Sequence, residues 1–413
     1  MRRRQFLKGL GAAGISAGAS SSTFAQGVAG ASRVQRVIVI GAGIVGASIA
    51  YNLARRGAEV IVIEKTAPAA QASGNSFAWI NASWYDTPQS YFDLRTHALN
   101  EYHRLARDVD IPVRWGGSLE WYADDAEQQA VVDGVARIQS AGAPAWMIDA
   151  GAAREIEPRV HIDADRRIAW CSRDGAVDPA AATNALLDRV TALGGEVLYP
   201  ATVTGFDFRR DGVFLQTSAG RFSADLAVIA AGVGSADLAR RAGLGSALLR
   251  PATPGIIVTT EPMPAMLNTI SYTSDTHFLQ RADGRVVIGE KAGPPDTDQH
   301  RALLAGLPNA YPDETVAAEH ATRVIGTASR YVRELADAVP GRVGVGWRPL
   351  PVDGLPIVGP PLSVPGLYLA VMHSGVTLAP LVGHLAAMEI LDGVRVDGLA
   401  DFRYERLVNA DSA

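Results

Sequence analysis

Val37-Ile38-Val39-Ile40-Gly41-Ala42-Gly43-Ile44-Val45-Gly46 is the stretch on which the reading of this chain turns. From Val37 to Ile40 it is apolar and β-branched, as a strand buried on both faces of a parallel sheet requires. Three glycines in G-x-G-x-x-G spacing follow at once. Ala47 to Arg56 then has helix-forming composition, and Gly57 is a helix stop. Val60 to Ile63 reads as a second strand, and Glu64 ends it 18 residues after Gly46.

Each part has a physical task. Gly41 allows the tight turn, Gly43 lets the backbone approach a pyrophosphate, and Gly46 lets helix and strand pack closely. The helix start supplies free N–H groups and a positive dipole end to phosphate. An acid at Glu64 accepts hydrogen bonds from ribose hydroxyls and disfavours a 2′-phosphate, which argues against NADP. The spacing predicts a dinucleotide site in a Rossmann-type α/β domain, with NAD and FAD both open at this point.

Three further segments favour FAD. Ala70-Gln71-Ala72-Ser73-Gly74-Asn75-Ser76-Phe77-Ala78-Trp79 is a loop of mainly small and polar residues in which Ser73, Asn75 or Ser76 offer hydrogen bonds toward an isoalloxazine ring. Ala224 to Gly232 is an apolar strand ending in small residues, after a hairpin-like stretch from Ala201 to Phe222. Taken alone it reads equally as an ordinary core strand. Leu367 to Val371 is an apolar strand, His373-Ser374-Gly375 a turn, and Val376 to Ile390 helical in composition. That helix start suits the negative charge that a reduced flavin carries near N1 and O2.

With these segments in this order, residues 34–395 resemble the FAD-dependent D-amino-acid oxidase family, which includes glycine oxidase, sarcosine oxidase and D-amino-acid dehydrogenase. The resemblance rests on the glycine loop with Glu64, on Ala72 to Asn75, on Gly175-Ala176-Val177-Asp178-Pro179 and on Ala230 to Gly232. It rests also on Arg348-Pro349, on Asp353-Gly354-Leu355-Pro356 and on His373 to Pro380. It implies that Ile44 and Val45 offer N–H groups to phosphate and that Glu64 and Lys65 hold the adenosine. It places Ser73 and Ala78 beside the flavin, the Val203 backbone on the adenine, Gly232 close to the nucleotide, and Gly375, Val376 and Thr377 on the flavin pyrimidine.

Family members that oxidise amino acids place an arginine where Arg348 stands, and a guanidinium fork grips a carboxylate with two parallel bonds. His277 and His373 are the next candidates, since histidine titrates near physiological pH. Sarcosine oxidases carry a flavin-linking cysteine near this arginine. The only cysteine here is Cys171, so the resemblance implies non-covalent FAD. Met372 stands before His373 where the family commonly has glycine, and Trp79-Ile80-Asn81-Ala82-Ser83-Trp84 is unusually aromatic. That aromatic run reads either as the wall of a larger, more apolar substrate pocket or as core packing.

The implied reaction is hydride transfer from a carbon α to an amine onto flavin N5, giving an imine that water hydrolyses. A 2-hydroxy acid or an amine without a carboxylate is the alternative substrate. An NAD-dependent dehydrogenase and a non-catalytic binding protein are readings of other classes. The electron acceptor stays open between oxygen and a quinone or other carrier, the latter reached by peripheral membrane association.

The chain of 413 residues is long enough for two or three domains, and its net charge of −5 argues against nucleic acid as a partner. Its histidines lack ligand spacing, so no metal is expected. The FAD-binding domain is predicted over 34–84, 150–250 and 345–395. A mixed α+β substrate domain on an antiparallel sheet is predicted over 85–149 and 251–344. Residues 1–25 read as a leader: Arg3-Arg4-Gln5-Phe6-Leu7-Lys8 resembles a twin-arginine export signal, and Thr23-Phe24-Ala25 offers a cleavage point, so a periplasmic protein is expected.

Overall fold

The computed structural model describes residues 35–85, 88–251, 253–291, 293, 295 and 297–410. The expected leader lies outside the described residues.

A six-stranded sheet carries the glycine loop. Its order is Ile357–Gly359, Leu367–Val371, Leu226–Ile229, Arg36–Ile40, Glu59–Ile63 and Glu196–Leu198. All pairs are parallel except the first, which is antiparallel. Strand Arg36–Ile40 is buried along four of its five residues, as its unbroken β-branched run requires. The helix Ile44–Ala54 follows it. At its crossing with the helix Gly375–Asp392 a Cβ on Gly383 would lie 2.2 Å from the Ser48 hydroxyl, so only glycine admits this approach. Pro380 sits inside the second helix and cannot donate to the Val376 carbonyl. The Tyr102 hydroxyl donates to that carbonyl instead. Although long and apolar enough to cross a membrane, this helix is largely buried in the core.

The second sheet has eight strands, in the order Pro340–Arg348, Thr253–Thr260, Val286–Glu290, Thr276–Gln280, Ile270–Tyr272, Ser118–Glu120, Arg167–Cys171 and Trp146–Asp149. It is antiparallel except where Ile270–Tyr272 runs parallel to Ser118–Glu120. Strand Arg167–Cys171, expected with the nucleotide-binding segments, instead pairs here with Ser118–Glu120 and Trp146–Asp149. Strand Pro340–Arg348 likewise straddles the expected boundary at residue 345. Short strands of similar composition carry no local mark of the sheet they join, because partners distant in sequence decide it.

The residues between Ala201 and Phe222 form a meander of Val203–Arg209, Gly212–Thr217 and Gly220–Ala224. In the Gly175–Pro179 segment, Asp178 caps the helix Pro179–Ala192 by accepting from the N–H groups of Ala180 and Ala181, with proline in the first turn.

Candidate active site

One elongated cavity of about 710 Å³ collects elements of both sheets. Gly41, with φ +111°, turns the chain at its floor, and a Cβ there would lie 2.5 Å from the Ala230 carbonyl oxygen. Gly46 does not line the cavity; a Cβ on it would lie 2.0 Å from the Gly41 carbonyl oxygen, so its task is packing. The other predicted nucleotide residues all line it: Gly41, Gly43, Ile44, Val45, Glu64, Lys65, Ala72, Ser73, Asn75, Ala78, Val203, Gly232, Gly375, Val376 and Thr377.

Glu64 is a built part of this end. Its carboxylate accepts from the Ala42 N–H at 3.0 Å and from the N–H and hydroxyl of Thr66 at 2.9 and 3.0 Å. The oxygen that takes the Ala42 bond keeps a lone pair for a further donor. The helices that begin at Ile44 and Gly375 both start on the cavity, and neither N-cap residue, Gly43 or Ser374, makes a side-chain cap bond. Ser73 Oγ accepts from the Ile44 N–H at 3.0 Å.

The loop Ala70–Ala78 also makes polar contacts within itself. The Asn75 amide donates to the carbonyls of Ala70 and Gln71, and Ser76 donates to the Ser73 carbonyl. These short side chains fold the loop, because nearby backbone groups are within their reach before a ligand is. The loop lies flat on the strand Pro340–Arg348, where a Cβ on Gly346 would stand 2.6 Å from the Asn75 carbonyl oxygen. Ala78 closes it at φ +65°, a conformation that costs a non-glycine residue roughly 1–2 kcal/mol.

Period-two alternation then aims Arg348. Gly344, Gly346 and Arg348 share the face toward the loop and cavity, while Val343, Val345 and Trp347 pack into the opposite core. The Arg348 guanidinium extends over Gly255 of the neighbouring strand, where a Cβ would lie 3.3 Å from Nε and Nη2. Among the described residues no carboxylate pairs with it.

In-register partners place Gly344, Ile257, Gly289, His277, Tyr272 and Glu120 in one row across the second sheet. His277 leans over Gly289, whose missing side chain makes the room. Burial, and then the Arg348 charge, push its imidazole down to about 3. The expected titration near neutral pH is therefore absent: a protonated ring would have to sit desolvated beside a guanidinium. Tyr272 stacks on it at 5.1 Å, and Phe77 meets its face edge-on at 4.5 Å. His373 is exposed at the other turn and also lines the cavity.

Tyr272 and Phe77 went unmarked in the sequence because nothing local distinguishes a cavity aromatic from a core one. Asp174 and Glu120 were also missed. Asp174 accepts from the Trp79 indole at 3.0 Å, and Glu120 from the Trp84 indole at 3.1 Å. Both acids are buried, which raises their carboxyls, that of Asp174 to about 6.

The cavity tests well against a flavin dinucleotide. Two helix starts, a carboxylate with a spare lone pair and a glycine turn facing one space match its pyrophosphate, ribose and ring edge. A family model described as DAO, FAD dependent oxidoreductase, matches residues 36–388. The chain is 28% identical over 362 residues to a glycine oxidase of Geobacillus kaustophilus, covering 85% of this chain and 91% of that protein. It is 25% identical over 398 residues to hydrogen cyanide synthase subunit HcnC of Pseudomonas aeruginosa, covering 86% and 91%. The crystal structure of the Geobacillus kaustophilus glycine oxidase superposes with a TM-score of 0.78 at 24% identity, covering 89% of this chain and 98% of that one. The chain belongs to the DAO family of FAD-dependent oxidoreductases and is an enzyme.

Proposed function

We propose that this DAO-family oxidoreductase oxidises the C–N bond of a carboxylated amine, an amino acid or a close relative of one. The observation that carries the reading is the Arg348 guanidinium, which opens on the cavity with no acidic partner among the described residues. An unpaired arginine extended into a cavity wants an anion, and a carboxylate matches its fork bidentately. The names of similar proteins, glycine oxidase among them, support the same chemistry.

FAD, when bound, supplies the hydride-accepting N5 that turns the C–N bond into an imine, which water then hydrolyses. The chain's own residues bind and orient. Gly43, Ile44 and Val45 would face the pyrophosphate, Glu64 and Lys65 the adenosine ribose, and Gly375 to Thr377 the flavin's pyrimidine edge. Ser73, Ala72, Ala78, Val203 and Gly232 would lie along it. Cys171 is buried in the second sheet and does not line the cavity, which supports a non-covalent cofactor.

His277 is a free base at ordinary pH and adds no charge beside Arg348. The amine is bound neutral, and no proton abstraction is assigned to a side chain. Arg348 fixes the carboxylate and with it the α-carbon, which is the positioning that hydride transfer needs.

An anaerobic screen that watches flavin absorbance tests this. Carboxylated amines are expected to bleach the flavin. Bleaching by 2-hydroxy acids or by amines without a carboxylate, and not by amino acids, would replace this reading with the alternative. The arginine-rich leader further supports export to the periplasm, tested by fractionating cells that carry the intact chain or one with Arg3 and Arg4 changed to Lys.

A further inference from the structure

We infer that the carboxylated amine bears an aryl or comparably bulky apolar substituent, held against a wall of Phe77, Trp79, Trp84 and Tyr272. This rests on the function proposed above and names the substrate class within it.

All four rings line the cavity that Arg348 enters. They form a continuous surface. Trp84 meets Trp79 edge-on at 5.1 Å and Tyr272 edge-on at 5.8 Å, and Trp79 lies tilted on Tyr272 at 5.9 Å. Ile257 continues the same apolar cluster beneath them. Both indole N–H groups are turned away into buried acids, Trp79 to Asp174 and Trp84 to Glu120. The two indoles therefore present carbon to the cavity, and the acids fix their orientation. Asp174 is itself held by the Ser118 hydroxyl at 2.7 Å.

The arrangement is a wall and not a cage. Rings in mutual contact leave no gap in which an ammonium group could be surrounded by faces. The Arg348 charge acts on His277, and the Arg95 guanidinium already lies 5.8 Å from the Trp84 ring, so a further cation at this wall would meet two like charges. A hydrogen in place of a side chain, as in glycine, would leave the wall facing water. Apolar cavity walls discriminate by roughly 10–200-fold for each methylene.

The test uses the FAD-loaded enzyme. Anaerobic flavin reduction is compared for glycine, both enantiomers of phenylalanine, N-benzylglycine and an amino acid bearing a trimethylammonium group. At least one aryl substrate is expected to exceed glycine by about 100-fold or more in rate over dissociation constant. Trp84→Ala, at the cavity rim, should cut that ratio by about tenfold with FAD content unchanged, while Tyr272→Phe should keep it. Glycine matching every aryl substrate, or the trimethylammonium compound matching them, overturns the inference and leaves the function reading intact. Calorimetric titration with phenylacetate and acetate reads the wall without turnover. Phenylacetate is expected to bind at least about tenfold tighter, and equal affinities overturn the inference. If no carboxylated amine reduces the flavin while phenylacetate still binds tighter, the function reading falls and the apolar wall stands.

Discussion

Two arginines in this chain make opposite use of the same side chain. Arg403 lies buried against Gly359, donates to both oxygens of Glu389, and shares that carboxylate with the Tyr368 hydroxyl at 2.8 Å. Arg348 lies against Gly255 and reaches into the cavity without an acidic partner among the described residues. In both places a glycine makes room for the guanidinium. The difference is the partner. An arginine paired with a carboxylate ties residue 403 to the helix Gly375–Asp392 and the strand Ile357–Gly359. The other opens on the cavity, where it is proposed to take the substrate carboxylate. Arginine identity and a neighbouring glycine are common to both; the partner and the cavity separate them.

Removing each arginine should separate the two roles. Arg403→Met leaves Glu389 charged and buried, which is expected to cost about 3–5 kcal/mol in urea unfolding. The activity of whatever fraction stays folded should be retained. Arg348→Lys should lower kcat/KM for a carboxylated amine about 100-fold, since an ammonium cannot offer the parallel pair of bonds. Its unfolding midpoint and FAD content should stay at the parent values. Wild-type turnover in that variant would break the comparison.

The two glycines sharpen it further. An added Cβ at Gly359 would stand 2.0 Å from Arg403 Nη1, at a backbone φ of +128°. Gly359→Ala is therefore expected to destabilise by roughly 1–3 kcal/mol. At Gly255 the contact is 3.3 Å to the free end of Arg348, which can move aside. Gly255→Ala should shift stability by less than about 1 kcal/mol and show itself in substrate KM.

Acid pH gives a further contrast. Burial by itself raises the Glu389 carboxyl, but Arg403, the Val396 N–H and the Tyr368 hydroxyl together hold it below the ordinary range. A depressed carboxyl contributes stability above its unfolded value, about 4.3, and loses it as pH falls through the folded value. His277 acts earlier in an acid titration. Its folded value of about 3 lies below an unfolded value of roughly 6.5. Its contribution is complete above about pH 6.5 and fades as pH falls toward 3. Unfolding measured at pH 7 and pH 5 should show a smaller loss in His277→Gln than in the parent. An equal loss would mean that His277 titrates normally.

The frame of the nucleotide end was legible in the sequence. Strand, glycine turn, helix and Glu64 occupy their predicted places, and the turn at His373 to Gly375 opens the predicted second helix. Arg348 was found through the family pattern around it. Ser73, Asn75 or Ser76 was expected to offer hydrogen bonds to the cofactor; all three line the cavity, where Asn75 and Ser76 also bond their own loop and Ser73 accepts from the first helix. The tendency of such residues to seize local backbone competes with ligand binding, and composition does not say which wins. The strand Arg167–Cys171, expected with the nucleotide-binding segments, pairs with Ser118–Glu120 and Trp146–Asp149, partners that composition does not reveal.

By itself, then, the sequence determined the dinucleotide-binding unit, because the physics of that unit is local. A turn, a helix start and an acid within some thirty residues either fit a pyrophosphate and ribose or do not. Only the tertiary structure decided which arginine is paired, that His277 stays neutral, and that Trp79 and Trp84 turn their N–H groups into Asp174 and Glu120. Those outcomes depend on the distance between side chains far apart in the chain and on how much water remains between them, and neither quantity is written in any one segment.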